Sequence, residues 1–190
     1  MMVVLPRNNM TNKISIGQLA RGEVTLRAGQ KVLLSGELYT ARDAAHKIIQ
    51  EMLDEGLTPP IDLNGACLYY CGPTPAPPGK VIGSCGPTTS YRMDRYTPAI
   101  LRAGVKSLIG KGPRSPEVCE ALLKHRAIYL CAIGGAGALT AKCVVSCQTA
   151  AFPQLGCESV KKLTVKDWPL IVAFDYSGGN IFGDYEINNR

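Results

Sequence analysis

Three short segments of the sequence combine cationic or hydroxyl side chains with glycine or proline, a combination that suits the binding of a small anion. They span residues 40–43, which include Arg42, residues 86–94, which include Thr88, Thr89, Ser90 and Arg92, and residues 110–113, which include Lys111. Arginine can hold a carboxylate with two parallel N–H groups, and lysine supplies a compact positive charge. These residue types therefore indicate a site for a small anionic ligand such as a carboxylate.

The segment 86–94 carries the largest number of such groups. Thr88, Thr89 and Ser90 precede a predicted helix, and three hydroxyl residues are more than one helix cap needs. Arg92 follows Thr88 by one helical turn, so that hydroxyls, backbone N–H groups and a guanidinium can reach one anion. Residues 86–94 do not match the phosphate-loop pattern. The glycine-rich residues 134–138 do not match the dinucleotide-binding pattern either, and they predict a tight turn.

The other two segments each allow two interpretations. Arg42 either binds a ligand carboxylate or is a surface arginine paired with Asp43 or Glu37. Lys111 stands between two glycines, which allow a ligand to approach the backbone closely, or else it is a solvated loop lysine. His46 lies one helical turn after Arg42, where it either orients that arginine or is a structural histidine.

Hydrophobic periodicity places these segments next to strand ends, which is where open α/β sheets usually bind ligands. Helices are predicted after residues 39–43 as far as Gly56, over residues 93–103, and from Ser115-Pro116 onward. The predicted strands cover residues 31–38, 66–70, 81–83, 105–109, 127–133, 140–147 and 170–176. Strands that alternate with helices predict an α/β domain, and the strand-rich final third indicates a mixed sheet.

Length and charge exclude several classes of protein. The chain has 190 residues, 46% of them hydrophobic, which suits one globular domain and excludes a disordered chain or a coiled coil. A net charge of +6 permits an anionic partner, but the basic residues are spread along the chain. Because nucleic-acid sites usually cluster their charge, the sequence predicts no nucleic-acid partner.

The sequence shows no targeting or membrane segment. No apolar run approaches the roughly 20 residues of a membrane span, so no membrane partner is expected. The apolar start of the chain is interrupted at Pro6, too early for a signal peptide, which predicts a cytoplasmic protein. Residues 1–15 predict a flexible N-terminal arm before a domain over residues 16–190, and either Met1 or Met10 fits as the start.

Eight cysteines and two histidines do not follow the spacing of a known metal or redox motif. Cys67 and Cys71, like Cys143 and Cys147, are four residues apart, which puts each pair on one face of a strand. Burial as small hydrophobic residues is the favoured interpretation, ahead of metal binding by this chain alone. A disulfide framework is less favoured still without a secretion signal. No residue of the chain is therefore assigned as a metal or cofactor ligand.

Residues 86–94, read as Gly-Pro-Thr-Thr-Ser-Tyr-Arg-Met-Asp, resemble the beta subunit of class I iron–sulfur fumarate hydratases. The same family includes tartrate dehydratase beta subunits. The preceding Thr-Ala-Arg-Asp-Ala-Ala-His of residues 40–46 and the following Gly-Lys-Gly of residues 110–112 occur in the family order. The similarity runs from about residue 16 to residue 182 and includes Asp167-Trp168-Pro169, Asp175 and Gly179-Asn180.

The resemblance implies a swivelling β/β/α domain that works with an alpha subunit. In such enzymes three cysteines of the alpha part hold a four-iron, four-sulfur cluster, and the beta part closes over it. By position, the resemblance assigns catalytic roles to Thr88 and Lys111. It assigns contacts with a dicarboxylate substrate to Arg42, Thr89, Ser90 and Arg92. A hetero-oligomer with the alpha subunit is expected.

Three functions remain open at this point. The first is reversible hydration of fumarate to (S)-malate, and the second is dehydration of L-tartrate or of a related dicarboxylate such as a methylated fumarate. A swivelling binding or scaffold module without chemistry of its own is the third.

Overall fold

Seven strands and five α-helices alternate along the part of the chain that the computed structural model describes, residues 12–183. The strands are β1 Asn12–Ser15, β2 Lys31–Thr40, β3 Cys67–Tyr69, β4 Ser107–Gly110, β5 Ile128–Cys131, β6 Val144–Ala151 and β7 Val160–Phe174. The helices are α1 Ile16–Arg21, α2 Asp43–Asp54, α3 Thr97–Arg102, α4 Pro116–Lys124 and α5 Gly137–Lys142, with 3₁₀ helices at Ser90–Met93 and Pro153–Glu158.

The strands form one mixed sheet in the order β1-β2-β3-β4-β5-β7-β6. Strands β2 to β5 run parallel to one another, so their carboxyl ends lie at one edge of the sheet. Strand β7 pairs antiparallel with both β5 and β2, and this double pairing closes β2, β3, β4, β5 and β7 into a ring. The predicted α/β class with a mixed sheet is confirmed.

Hydrophobic side chains pack on both faces of the sheet. Along β3, Cys67 and Tyr69 belong to one cluster, whereas Leu68 belongs to the other, as alternation along a strand requires. The second cluster includes the buried faces of helices α2, α3 and α4, which therefore cover one side of the sheet. Cys71 joins Cys67 in the first cluster, so the predicted placement of these two cysteines on one face is confirmed.

Helix α4 begins where the sequence predicts. The Ser115 side chain accepts a hydrogen bond from the Val118 N–H, and Pro116 occupies the first turn, where its missing N–H has no cost. Among the helices of residues 12–183, none is long and apolar enough to cross a membrane.

Four predicted features differ from the structure. Residues 12–15 are not part of a flexible arm, because they form β1 and pair in parallel with residues 32–35 of β2; residues 1–11 lie outside the described part. Residues 81–83 form no strand, and residues 140–142 belong to α5 rather than to the strand that follows. Strand β7 begins at Val160, ten residues before its predicted start. Its charged residues face outward, and its partners on both sides come from distant parts of the chain, which a local pattern does not reveal.

Candidate functional site

The three cationic segments meet at the edge formed by the carboxyl ends of the parallel strands. Arg42 follows β2, Lys111 follows β4, and the Thr88 N–H donates to the Tyr70 carbonyl just after β3, with an N···O distance of 2.7 Å. The ends of β2 and β4 are two strand spacings apart, roughly 10 Å. Long cationic side chains at these positions can therefore reach the two ends of one small dicarboxylate.

Hydrogen bonds join residues 88–90 to Lys111. Thr89 and Lys111 form an isolated parallel bridge. The Ser90 N–H donates to the Lys111 carbonyl, and the Lys111 N–H donates to Ser90 Oγ, each over 3.0 Å. The predicted proximity of the hydroxyl segment and the lysine is thus a direct backbone contact.

Ser90 has a structural position in this arrangement. It is fully buried, and its Oγ lies 2.9 Å from the Tyr129 hydroxyl, which in turn donates to the Gly112 carbonyl over 2.8 Å. Burial raises the pKa of Tyr129, so its hydroxyl stays protonated and remains a donor. A substrate contact through Ser90 would require this chain of hydrogen bonds to open.

Lys111 is half-buried, and its side chain makes no ion pair with any acid of residues 12–183. Its stem passes Gly134, where an added Cβ would lie 3.6 Å from Lys111 Cδ. Gly110 must be glycine here, because an added Cβ would collide with Ser90 Oγ and the Tyr70 ring. The Lys111 charge is available to a ligand.

The glycine-rich residues 134–137 contain a turn at Gly134-Gly135, as predicted, whereas Gly137 and Ala138 already belong to α5; the segment lies over the start of the hydroxyl segment. The Cys85 N–H donates to the Gly137 carbonyl over 3.1 Å, and a Cβ at Gly86 would lie 3.5 Å from Gly137 Cα. Small residues on both sides allow this close approach. The loop after β5 thus borders the same edge as Lys111.

Arg42 is already partly neutralised. Its Nη2 lies 3.2 Å from Glu158 Oε1 and 3.6 Å from Asp43 Oδ2. The predicted pairing with Asp43 is confirmed; that with Glu37 is wrong, because Glu37 pairs with Lys162 over 2.8 Å. The Nε atom of Arg42 is buried and finds no acceptor among residues 12–183. A carboxylate oxygen is a suitable acceptor for such a donor.

His46 supports the start of the helix that carries Arg42. Its ring is fully buried beside Tyr70 and Tyr96, and its Nδ1 lies 3.0 Å from the Arg42 carbonyl oxygen. Burial lowers the pKa of His46 to about 4, so the ring is neutral near pH 7 and Nδ1 can carry the donated proton. The structure favours the interpretation of His46 as a structural histidine. Its hydrogen bond to the Arg42 carbonyl holds the first turn of α2 in place.

Thr88 and Thr89 are half-buried, and Arg92 is exposed on the 3₁₀ helix Ser90–Met93. The predicted helical turn from Thr88 to Arg92 is wrong, because that helix begins only at Ser90 and Thr89 is extended. The N–H groups of Thr88 and Ser90 are used within the protein. Anion binding here would therefore fall to side chains rather than to a free helix N-terminus.

A buried ion pair that the sequence analysis missed joins the segment 86–94 to the loop after β4. Arg114 Nε lies 2.8 Å from Asp94 Oδ1, and Arg114 Nη2 donates to Thr97 Oγ1 over 2.7 Å. The second Asp94 oxygen accepts the Ser115 N–H over 2.7 Å. Asp94 ends the hydroxyl segment and Arg114 follows Lys111 by three residues, but neither segment by itself indicates that the two side chains pair.

The described side chains do not suit a metal cluster. Within residues 12–183 no three His, Cys, Asp or Glu residues come close enough together to hold a metal ion. Cys71 and Cys85 are buried as free thiols with their sulfurs 3.5 Å apart, and burial raises the pKa of the nearby Cys67 to about 12. A pair of buried thiols with no third ligand among residues 12–183 does not provide the cysteine set that an iron–sulfur cluster requires.

Comparison with known proteins gives one consistent family. Residues 5–185 match the family model described as the fumarase C-terminus. Fumarate hydratase 2 of Leishmania major is 40% identical over 156 residues, which are 81% of this chain and 28% of that protein. The aerobic class I fumarate hydratase of Escherichia coli K12 is 33% identical over 181 residues, 94% of this chain and 32% of that protein.

A third relative is similar in length to this chain. A Methanocaldococcus jannaschii protein, assigned by its name to the L(+)-tartrate dehydratase beta subunits, is 36% identical over 171 residues, 87% of either chain. By contrast, the chain spans about a third of the length of the two fumarate hydratases.

Proposed function

The chain belongs to the fumarase C-terminus family, whose named relatives are hydro-lyases, and from this membership we propose that it is the beta part of a class I fumarate hydratase. The proposed reaction is the reversible hydration of fumarate to (S)-malate. The observation that carries the proposal is the convergence of Arg42, Thr88 and Lys111 at one sheet edge, where residues 12–183 provide neither an acidic partner for Lys111 nor an acceptor for Arg42 Nε.

The proposal requires a partner that supplies the rest of the active site. The named fumarate hydratases are about three times as long as the matched region, and the described side chains of this chain do not suit an iron–sulfur cluster. We therefore assign the four-iron, four-sulfur cluster to an alpha part, either a separate subunit or further residues of the same polypeptide. The cytoplasmic location expected from the sequence remains a prediction.

The cations suit both the substrate and the charge that develops during reaction. Arg42, Arg92 and Lys111 would hold the two carboxylates of the substrate. When oxygen adds to one alkene carbon, electron density moves to the other carbon and into its carboxylate. Preorganised donors at that carboxylate lower the barrier, an effect of about 2.7–4 kcal/mol per donor in other enzymes.

Thr88 is the proposed site of proton transfer on this chain. Thr88 is half-buried and directly precedes Thr89, which pairs with Lys111. A threonine hydroxyl is a weak acid and a weak base, so it must work with a stronger acid–base group. We place that stronger group on the partner.

A specific observation also favours a second candidate, an L-tartrate dehydratase beta subunit. The relative with that name is covered over 87% of its length, whereas the fumarate hydratases are covered over about a third. Both reactions use a four-carbon dicarboxylate and exchange water at neighbouring carbons, so the same cations serve either substrate.

The decisive experiment is anaerobic co-expression of the chain with the cluster-bearing partner from the same organism, followed by iron–sulfur reconstitution. The purified complex is then assayed on fumarate, (S)-malate and L-tartrate. Hydration of fumarate with the highest kcat/KM supports the first proposal, and preference for L-tartrate supports the second. A reconstituted complex that turns over none of these substrates would refute both.

A further inference from the structure

An exposed apolar surface lies beside the candidate site and is not used by it. Four large hydrophobic side chains are solvent-exposed there: Val81 at 48%, Ile133 at 61%, Leu139 at 62% and Val145 at 56%. They come from residues 81–84 and 133–145, two segments joined by the hydrogen bond from Cys85 to Gly137. We refer to these four residues as the apolar rim.

A groove of about 430 Å³ lies at the apolar rim: Val81 lines it, and Leu139 and Val145 directly follow Ala138 and Val144, which line its other side. Residues 77–84 form one wall, and α5 with the start of β6 forms the other. Its apolar lining comes from Val81, Ile82, Ala138, Ala141 and Val144, and Lys80 and Lys142 stand beside them. Neither lysine makes an ion pair within residues 12–183. Exposed apolar side chains next to charges that have no partner in the described residues are typical of a protein–protein interface.

Strand β6 adds an open backbone edge to this surface. It pairs with β7 on one side and is the last strand of the sheet order. Five of its eight residues are exposed, and Val145 is an exposed hydrophobic among them. Proteins normally protect such an edge with charge, proline or a covering element, because it can pair with other chains.

The apolar rim is continuous with the site. Ile133 precedes Gly134, which borders the Lys111 side chain, and Gly137 touches Gly86, two residues before Thr88. A partner seated on the rim would therefore border Lys111 and Thr88 as well. The named fumarate hydratases contain about twice as much further sequence as this chain covers, enough for such a partner.

We propose that the apolar rim and the free edge of β6 dock the cluster-bearing alpha part, through an apolar patch with acidic side chains opposite Lys80 and Lys142. This inference rests on the proposed function and names the surface on which the two parts meet. Docking there would close the site, because it covers the side of the strand-end edge next to Lys111.

The test compares three single substitutions in the complex of the full chain with its separately produced alpha partner, under anaerobic conditions. Leu139→Glu and Val145→Glu place a charge in the apolar rim. Leu57→Glu is the matched control, because Leu57 is 52% exposed and follows α2 at the end opposite Arg42. The dissociation constant is measured by titration at fixed chain concentration, and thermal melting of each free variant checks its folding.

We expect Leu139→Glu and Val145→Glu each to weaken the complex at least tenfold, while Leu57→Glu leaves the dissociation constant unchanged. At saturating partner, turnover should stay near the wild-type value, because none of the changed residues is assigned to the site. Hydrogen exchange gives an independent measure without mutation: the amides of Val144–Ala151 should become protected when the wild-type partner binds.

Two results would overturn the docking surface while leaving the proposed function intact. One is an active wild-type complex in which the rim variants bind normally and β6 gains no protection. The other is that the free chain forms a dimer, and that Leu139→Glu dissociates this dimer without weakening partner binding. The apolar rim would then be the contact surface for a second copy of the chain. A wild-type chain that binds no cluster-bearing partner and supports no turnover would instead refute the proposed function itself.

Discussion

The cations at the strand-end edge differ in how far the protein has already neutralised them. Arg42 lies beside Glu158 and Asp43, and its stem packs against Gly72. Lys111 has no acidic partner within residues 12–183, and Arg92 is exposed. Changes at Lys111 and Arg92 should therefore affect ligand binding and turnover much more than folding.

Arg92→Lys tests the guanidinium directly. Lysine keeps the charge but loses the two parallel N–H donors, so kcat/KM of the reconstituted complex should fall at least tenfold, about 1.4 kcal/mol. The melting temperature should hardly change, because Arg92 is exposed. Arg95→Lys is the matched control, an exposed arginine three residues further on that lies over the Tyr96 ring. Equal rates for both variants would make Arg92 an ordinary surface residue.

Lys111→Ala removes from the proposed site a charge that no acid of the described residues neutralises. We expect assembly with the partner to survive and kcat to fall sharply. Excess substrate should not restore the rate, because the contact is proposed to be stronger in the transition state than in the ground state. Complex mass and turnover are measured on one preparation, with Lys47→Ala on the exposed face of α2 as control. Normal turnover per assembled complex would exclude Lys111 from the site.

His46 should make the stability of the fold depend on pH. Its pKa is about 4 in the folded chain and about 6.5 when unfolded, so between these values only the unfolded chain binds the extra proton. The His46 contribution is therefore complete above pH 6.5 and declines as the pH falls toward 4, by about 3 kcal/mol in all.

Urea unfolding from pH 7 to pH 4.5 measures this dependence. His46→Gln should flatten the fall in unfolding free energy across that range, relative to wild type. The same change at half-buried His125 should alter it less. If His46→Gln leaves the pH dependence as it is in the wild type, the ring must titrate normally in the folded chain.

At the scale of elements, two sets of buried polar contacts hold the loops of the site together. Asp94 and Arg114 join the 3₁₀ helix after Thr89 to the start of α4, and Ser90 and Tyr129 join the same helix to β5 and Gly112. The Arg114 side chain is 1% exposed and lies over the Tyr70 and Tyr129 rings. Burial alone would lower the pKa of Arg114, but Tyr70 and Asp94 outweigh it, and the guanidinium stays charged.

Asp94→Asn should destabilise the chain by about 3–5 kcal/mol, because it leaves the buried Arg114 charge without its counter-ion. The control is Asp167→Asn in the solvent-exposed Lys13–Asp167 pair, which should cost less than about 1 kcal/mol. Asparagine also tolerates the positive φ of 47° at residue 167, so no strain is added there. Chemical unfolding of both variants makes the comparison. Equal losses would mean that the buried pair contributes no more than the exposed one.

At the scale of the whole molecule, the ring of strands gathers polar side chains at one edge. The described residues gather cations and hydroxyls at that edge but no set of metal ligands. On the proposed function, this edge is one wall of a site that the cluster-bearing partner completes.

The chain purified alone, anaerobically and with iron and sulfide supplied, should show no iron–sulfur absorbance and no hydration of fumarate. Addition of the cluster-bearing partner to the same sample should produce both. A chain that turns over fumarate without a partner would contradict the division of roles proposed above. The control is the partner alone, which should absorb but remain inactive.

Several features of this protein could be predicted from the sequence alone, because they depend only on neighbouring residues. The serine and proline that begin α4, the glycines around Lys111 and the turn at Gly134-Gly135 act over a few neighbouring residues, so their effect is readable in the chain. The positions of Arg42 and Lys111 at strand ends were predicted for the same reason, because the hydrophobic residues that identify β2 and β4 lie close together in the sequence. Parallel order then brings such ends to one edge.

Contacts between distant residues were decided only by the tertiary structure. Strand β1 and the first half of β7 have weak local patterns and are strands because β2 pairs with both. Ser90 turns inward because Tyr129, 39 residues later, accepts its hydroxyl, and Arg114 is buried because Asp94 faces it across 20 residues. Pairing and burial of this kind depend on which segments the closed ring brings together, and no local pattern of residue types contains that information.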